Sequence, residues 1–393
     1  MKEVKMQPED VSGVTPLKMF EKSVDDENWR IRRSVAGNKL TSLEELAVFA
    51  MDEEWRVRKA VVENPNVSAE ILAKLADDDE WEIRMLVAKN SKTPIETLEK
   101  LAGDREWRVR KAVAERENLS EEIFMLLAVD NDSDVRWKVA WNKKLSPNVL
   151  AKLSRDKDEQ VREPVAMNPN TCVAVLRVLA DDPASRVRKG VAMNPNAPAD
   201  ILRKLMNDES VDVRARVAKH PNTEYDVLEK LVSDDVSYVR RSTVANKMCS
   251  SELLSKCLQD EDWEVRQEIA RHSNASAEIL ERLSKDEKDR VREAVVQNSN
   301  TLPETLAHMT DDWGCGIVRA LGENPNTPEK TLWKLFRERR SFECYLSLAK
   351  NPKAPTKLLT ELAQVGDYDV CKLIVEHPNT SAEIRKKLKK KWF

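Results

Sequence analysis

WRVRKAVVENPNVSAEILAKLADD, residues 55–78, contains two helices and the break between them. Val57, Ala60 and Val61 stand three and four residues apart around Arg58, the spacing that puts side chains on one face of a helix. Asn64-Pro65-Asn66 stops that helix, because proline cannot continue it and asparagine tolerates the left-handed conformation that helix ends use. Ser68 is a candidate N-cap with Glu70 in the first turn, after which Ile71, Leu72 and Leu75 make the apolar face of a second helix. Helices of about two turns are unstable alone in water, so each needs a neighbour to cover its apolar face.

That neighbour is the same motif again. Arginine recurs every 26 residues, eleven times in register, from Arg32 through Arg58, Arg84, Arg110 and Arg136 to Arg292. Aspartate keeps the same step six residues earlier, from Asp26 through Asp52, Asp78 and Asp104 to Asp312. Six residues after each arginine stands asparagine, from Asn38 to Asn324, with Arg116, His220 and His272 as substitutes. Leucine repeats from Leu46 to Leu332, and Phe124 fills its one gap. Units that stack on copies of themselves form a solenoid. A chain of 393 residues would ordinarily divide into two or three domains, but about fourteen such units account for nearly all of it, so one elongated domain is expected. Its divisions read as an N-terminal extension or cap over 1–22, regular repeats over 23–310, irregular C-terminal repeats over 311–388 and a basic tail over 389–393.

Composition narrows the function classes. Lys and Arg number 66 against 69 Asp and Glu, and the net charge of −3 gives no global attraction to nucleic acid or to an anionic membrane. No run of about 18 apolar residues exists and the first 22 lack the apolar core of a signal peptide, so a cytoplasmic protein without membrane association is expected. Six cysteines are scattered without metal-site spacing, which implies reduced thiols and no metal. No cofactor is expected, and no P-loop, GxGxxG, GxSxG or HExxH motif is present. His220, His272 and His377 take the asparagine position, where a helix-end hydrogen bond is the expected role.

WRVRKAVVENPNVSAEILAKLADD (55–78) and VRKGVAMNPNAPADILRKLMND (187–208) closely resemble the leucine-rich repeat variant, a HEAT-like bacterial and archaeal repeat, and the resemblance extends over about residues 23–388. It implies an all-α fold: a single right-handed α-solenoid, or superhelix, of about fourteen 26-residue two-helix repeats, in which short α-helices alternate with shorter, partly 3₁₀ helices. It implies no single activity, since such repeats serve chiefly as interaction surfaces. A family iron–sulfur cluster on N-terminal cysteines is not carried over, because no cysteine precedes Cys172.

Eleven regularly spaced guanidinium groups could track a phosphate backbone. An internal Asp–Arg ladder that sets repeat stacking is the favoured reading, with Asp52, Arg58, Asp78, Arg84, Asp104 and Arg110 as members; the arginine fork can bond the aspartate six residues earlier or the next repeat's loop. Positions that vary between repeats carry more information about function. Trp29, Arg30, Arg33, Trp55, Arg56, Lys59, Trp107, Arg108, Lys111 and Trp137 combine aromatic and basic groups on the first helices, and this patch is the candidate ligand-binding surface. The expected function is a non-enzymatic scaffold that binds a protein partner through its curved surface. The alternative is a nucleic-acid-binding HEAT-like protein using the same patch, similar to HEAT-like DNA glycosylases; a HEAT-like lyase acting on tetrapyrrole-bearing proteins is a third option with no specific residue behind it. Gly314-Cys315-Gly316 reads as a loosened turn, or else as an exposed thiol or a close ligand approach. The cluster from Arg385 to Lys391 reads as a solubilising cap or a polyanion tether.

Overall fold

The computed structural model describes residues 26–312 and 314–392, and every regular element among them is helical. The extension expected over 1–22 lies outside the described residues. The chain divides into two compact parts, one ending at Asn194 and one beginning at Pro195, and each part is an α-solenoid of two-helix repeats.

In the N-terminal part the first helices of successive repeats, Trp29–Ala36, Trp55–Glu63, Trp81–Lys89, Trp107–Ala114, Ser133–Ala140, Glu159–Met167 and Ser185–Met193, pack on one another. The second helices, such as Leu43–Phe49, Ala69–Leu75 and Ile95–Leu101, are α-helical over seven residues, where a partly 3₁₀ conformation had been expected. Bonds of the 3₁₀ type close their exits: Asp77 and Asp78 donate N–H bonds to Lys74 and Leu75, three residues back. Ser68 caps the second helix as its spacing predicts, accepting from the Ile71 N–H, and Ser42 forms a capping box with Glu45. Val57, Val61 and Leu72 are fully buried, as are their counterparts Ile83, Val87, Val109 and Val113, each contributing about 1.5–3 kcal/mol of transfer free energy.

Two polar devices fix the stacking. The first is the arginine. Arg58 donates Nε and Nη2 to the two carboxylate oxygens of Asp78, at 2.6 and 2.8 Å, while Nη1 bonds the backbone carbonyls of Asp52 and Glu53. The carboxylate therefore comes from the following repeat, and the aspartate six residues earlier contributes only its carbonyl. The same geometry joins Arg32 to Asp52, Arg84 to Asp104, Arg110 to Asp130, Arg136 to Asp156 and Arg162 to Asp182. Each aspartate also accepts the N–H two residues ahead, as Asp78 does from Glu80, so it shapes the turn before the N-cap instead of being the cap itself.

The second device is the asparagine, whose backbone corrects the left-handed expectation. Asn64 is extended, with φ −69° and ψ 130°, as residues before proline are. Asn90 is extended in the same way although serine follows it, so the turn does not depend on the proline. The side chain accounts for this: Nδ2 of Asn64 reaches back to the carbonyls of Ala36 and Asn38, and Oδ1 accepts the N–H of Asn66. Arg116 substitutes by donating to the carbonyls of Lys89 and Asn90.

The C-terminal part repeats these features. Arg214, Arg240, Arg266 and Arg292 bond Asp234, Asp260, Asp286 and Asp312. His272 and His377 copy the asparagine, with Nδ1 accepting the N–H two residues on and Nε2 bonding the carbonyl of Asn246 or Asn351. Beyond Asp312 the pattern changes. Val318 takes the arginine position, and Arg339, 27 residues after Asp312, bonds the carbonyl of Asp312 that a ladder arginine would have bonded, together with that of Thr310. Gly316 is a point of close approach between elements: a Cβ there would lie 2.6 Å from the Glu293 carboxylate. The Cys315 side chain lies outside the described ones. Lys389, Lys390 and Lys391 belong to the closing helix Ala382–Trp392, whose Trp392 meets the edge of Tyr368.

Candidate functional site: the tryptophan–arginine face

Helix geometry alone puts the residues two before and one after each ladder arginine on one face, since they are three apart. The ladder arginine itself turns inward, and the tryptophan that opens the first helix in each of the first four repeats lies half-buried beside that face. The result is a stack running from repeat to repeat. Arg56 lies 5.1 Å from the ring centre of Trp29 and 4.7 Å from that of Trp55, between the two. Arg108 repeats the arrangement between Trp81 and Trp107, and Arg30 covers Trp29. Lys111 reaches Trp107 and Trp137 at 5.5 and 5.9 Å.

The predicted patch is thus brought together in two groups. Trp29, Arg30, Trp55 and Arg56 make one; Trp107, Arg108, Lys111 and Trp137, with Trp81 added, make the other. Glu82 stands at the join, in register with Arg56 and Arg108. Lys59 lies apart from these stacks, 3.7 Å from Glu63, and Arg33 is exposed on the neighbouring turn.

Electrostatically the face is more balanced than its basic residues suggest. Arg56 pairs with Glu54 at 2.7 Å, Arg108 with Glu106 at 2.8 Å and Lys111 with Asp134 at 2.8 Å. The glutamates were legible two residues ahead of each arginine, but Asp134 stands 23 residues after Lys111 and becomes its neighbour only when repeats stack. Trp141 lies near the tryptophan stripe in the sequence but is not among the predicted patch residues. It meets Trp137 edge to face with ring centres 6.1 Å apart, and the two residues are 46% and 36% exposed. Paired indoles left this open are an apolar, directional contact surface.

The ladder residues Asp52, Arg58, Asp78, Arg84, Asp104 and Arg110 face away from this surface and are engaged within the stack. Burial would raise the Asp104 carboxyl, but the Arg84 fork, the Glu106 N–H and the charges of Arg84 and Arg105 outweigh it and hold Asp104 below the usual carboxylate range. Among the described residues no group of three or more His, Cys, Asp or Glu side chains is placed to hold a metal, and no helix is long and apolar enough to cross a membrane.

Residues 55–80 match the family model described as leucine rich repeat variant, one full period of the repeat. None of the curated proteins compared matches the chain. Among solved structures, a leucine-rich repeat variant with a novel repetitive structural motif is similar at 27% identity and a TM-score of 0.42, covering 63% of this chain and 87% of that one. Kap121p bound to Nup53p is similar at 13% identity and a TM-score of 0.31, covering 96% of this chain; the likeness spans 44% of the Kap121p chain, less than half of its length. An engineered protein is similar at 19% identity and a TM-score of 0.23, covering 95% and 97% of the two chains.

Proposed function

With the chain read as a repeat protein of the leucine-rich repeat variant, HEAT-like kind, we propose that the tryptophan–arginine face of its first five repeats docks a protein partner, and that the protein is a cytoplasmic scaffold and not an enzyme. The observation that carries this reading is the exposed Trp137–Trp141 pair beside a stack in which Arg56, Arg108 and Lys111 are already matched by Glu54, Glu106 and Asp134. Tryptophan and arginine are the residues on which protein–protein binding energy concentrates. A groove that tracks phosphates needs cations free to release counterions, and neutralised arginines supply few.

A photo-crosslinking amino acid at position 141 tests this in cells of the source organism, with one at Lys152 on a second helix as control. The expected result is a discrete protein adduct from position 141 that survives nuclease, is absent from position 152 and is lost when Arg108 and Lys111 are changed to Glu. Adducts to nucleic acid, or equal labelling from both positions, would refute the proposal.

A further inference from the structure

The stack contains one irregularity that points to a ligand. In repeats 2 and 4 the position two before the ladder arginine is Arg56 or Arg108, and each guanidinium fills the space between its own tryptophan and that of the preceding repeat, within 5.1 Å of both rings. In repeat 3 the same position is Glu82. The helices Trp55–Glu63 and Trp81–Lys89 also pack on each other, and Trp55 and Trp81 hold in their repeats the register position that Trp29 and Trp107 hold in theirs. Arg56 engages Trp55 from the Trp29 side and Arg108 engages Trp81 from the Trp107 side. Lys59, in register with the lysine that bridges Trp107 and Trp137, lies against Glu63.

Among the described cation–π contacts, then, none bridges Trp55 and Trp81, and half-buried Glu82 takes the register position of the bridging arginine. A carboxylate at the register position between two indoles is a place where a cation would find both π-faces and an opposite charge. A guanidinium fits best, because it is planar, stacks on indole and bonds a carboxylate with two parallel N–H groups, whereas an ammonium is more strongly hydrated. The chain itself uses guanidinium in both equivalent intervals.

We infer that Trp55, Trp81 and Glu82 form a receptor for one arginine side chain of the protein partner, which completes the stack in trans. This rests on the docking face proposed above and specifies which partner group enters it. It also explains why the patch falls into two groups.

The test uses the full chain carrying 5-fluorotryptophan, titrated with acetyl-Gly-Arg-Gly-amide and with its citrulline counterpart, which keeps the shape and removes the charge. The arginine peptide is expected to shift the resonances of Trp55 and Trp81 and to leave Trp263 unmoved, with citrulline binding about tenfold weaker or less tightly still. Glu82→Arg supplies the missing guanidinium from the chain; it should abolish the response while the melting temperature stays level or rises, which separates site loss from unfolding. Glu82→Gln should weaken binding by about tenfold. Shifts confined to Trp137 and Trp141, or an undiminished response in Glu82→Arg, overturn the receptor. So does silence at both indoles while crosslinking through position 141 persists, an outcome that leaves the docking face standing; loss of the crosslink with a retained indole response would remove the docking face instead.

Discussion

Replacing Asp104 by Asn asks how much one rung of the ladder contributes. The Arg84 and Asp104 side chains are 6% and 7% exposed and joined by bonds of 2.6 and 2.9 Å, with Arg84 Nη1 further bonded to the carbonyls of Asp78 and Asp79. Asparagine keeps one acceptor but turns an NH₂ toward the guanidinium and leaves a buried charge unmatched. Removing one member of a buried pair costs about 3–5 kcal/mol, and the retained acceptor puts this case near 3 kcal/mol. Changing Arg84 to Met and Asp104 to Leu together should cost less than the single change, since a well-packed apolar pair often replaces a buried ion pair without net loss. In a stack whose stability is a sum of repeat and interface terms, the damage should also stay local. Urea unfolding gives the total, and hydrogen exchange should show protection falling in 81–89 and 107–114 but not in 263–271. A single variant within about 0.5 kcal/mol of the parent, the background for surface changes, or a double variant worse than the single, would refute the reasoning.

Asn64→Ala leaves the carbonyls of Ala36 and Asn38 without a donor and should cost about 2 kcal/mol by urea titration, whereas Asn64→His, which installs the group found at 272 and 377, should cost less than about 1 kcal/mol. Asp104, Asp234 and Asp312 are partly buried, which would raise them, yet their arginine and N–H partners hold all three below the usual carboxylate range. Their contribution is therefore complete above the unfolded value of about 3.9 and is lost as pH falls below it, so unfolding free energy should fall away in acid and an Asp104→Asn variant should show a shallower loss. Gly322→Ala would drive a Cβ to 2.7 Å from that of Ser347 and should destabilise by about 1–3 kcal/mol, while Gly316→Ala meets only the movable end of Glu293 and should cost less. Burial pushes the thiols of Cys249 and Cys344 up to about 12 and that of Cys257 up to about 11, so native-state alkylation near neutral pH should label exposed Cys172 and spare those three, as peptide mapping would show.

The repeat was legible because its units write nearly the same answer: period and apolar spacing recur along the chain, a serine caps many of the second helices, and Val57, Ile71 and Leu72 lie where the pattern puts them. The polar partners were less so. Periodicity shows that Arg58 and Asp52 share a register, but Asp78 shares it equally, and only the stacking direction decides between the two carboxylates. The asparagine was read for its backbone when its side chain does the joining, a bond to a carbonyl 28 residues back that leaves no local signal. On the outer face Trp29, Arg56 and Arg108 were found because they break the uniformity of the repeat. Glu82 breaks it too, yet its meaning depends on what occupies the same place one repeat before and one after, and that appears only once Arg56 and Arg108 are seen wedged between rings.

The ladder also settles how such an array can change length. Every rung has its donor in one copy and its acceptor 20 residues on, so the chain has no seam at which a module begins or ends. Excising any 26 consecutive residues between Arg32 and Asp182 brings an orphaned guanidinium to a fresh carboxylate at the same separation, wherever the cut falls. Excising 25 or 27 misaligns the whole remaining series at one junction. The array can therefore be shortened or extended only in whole quanta, with the starting point of each quantum left free.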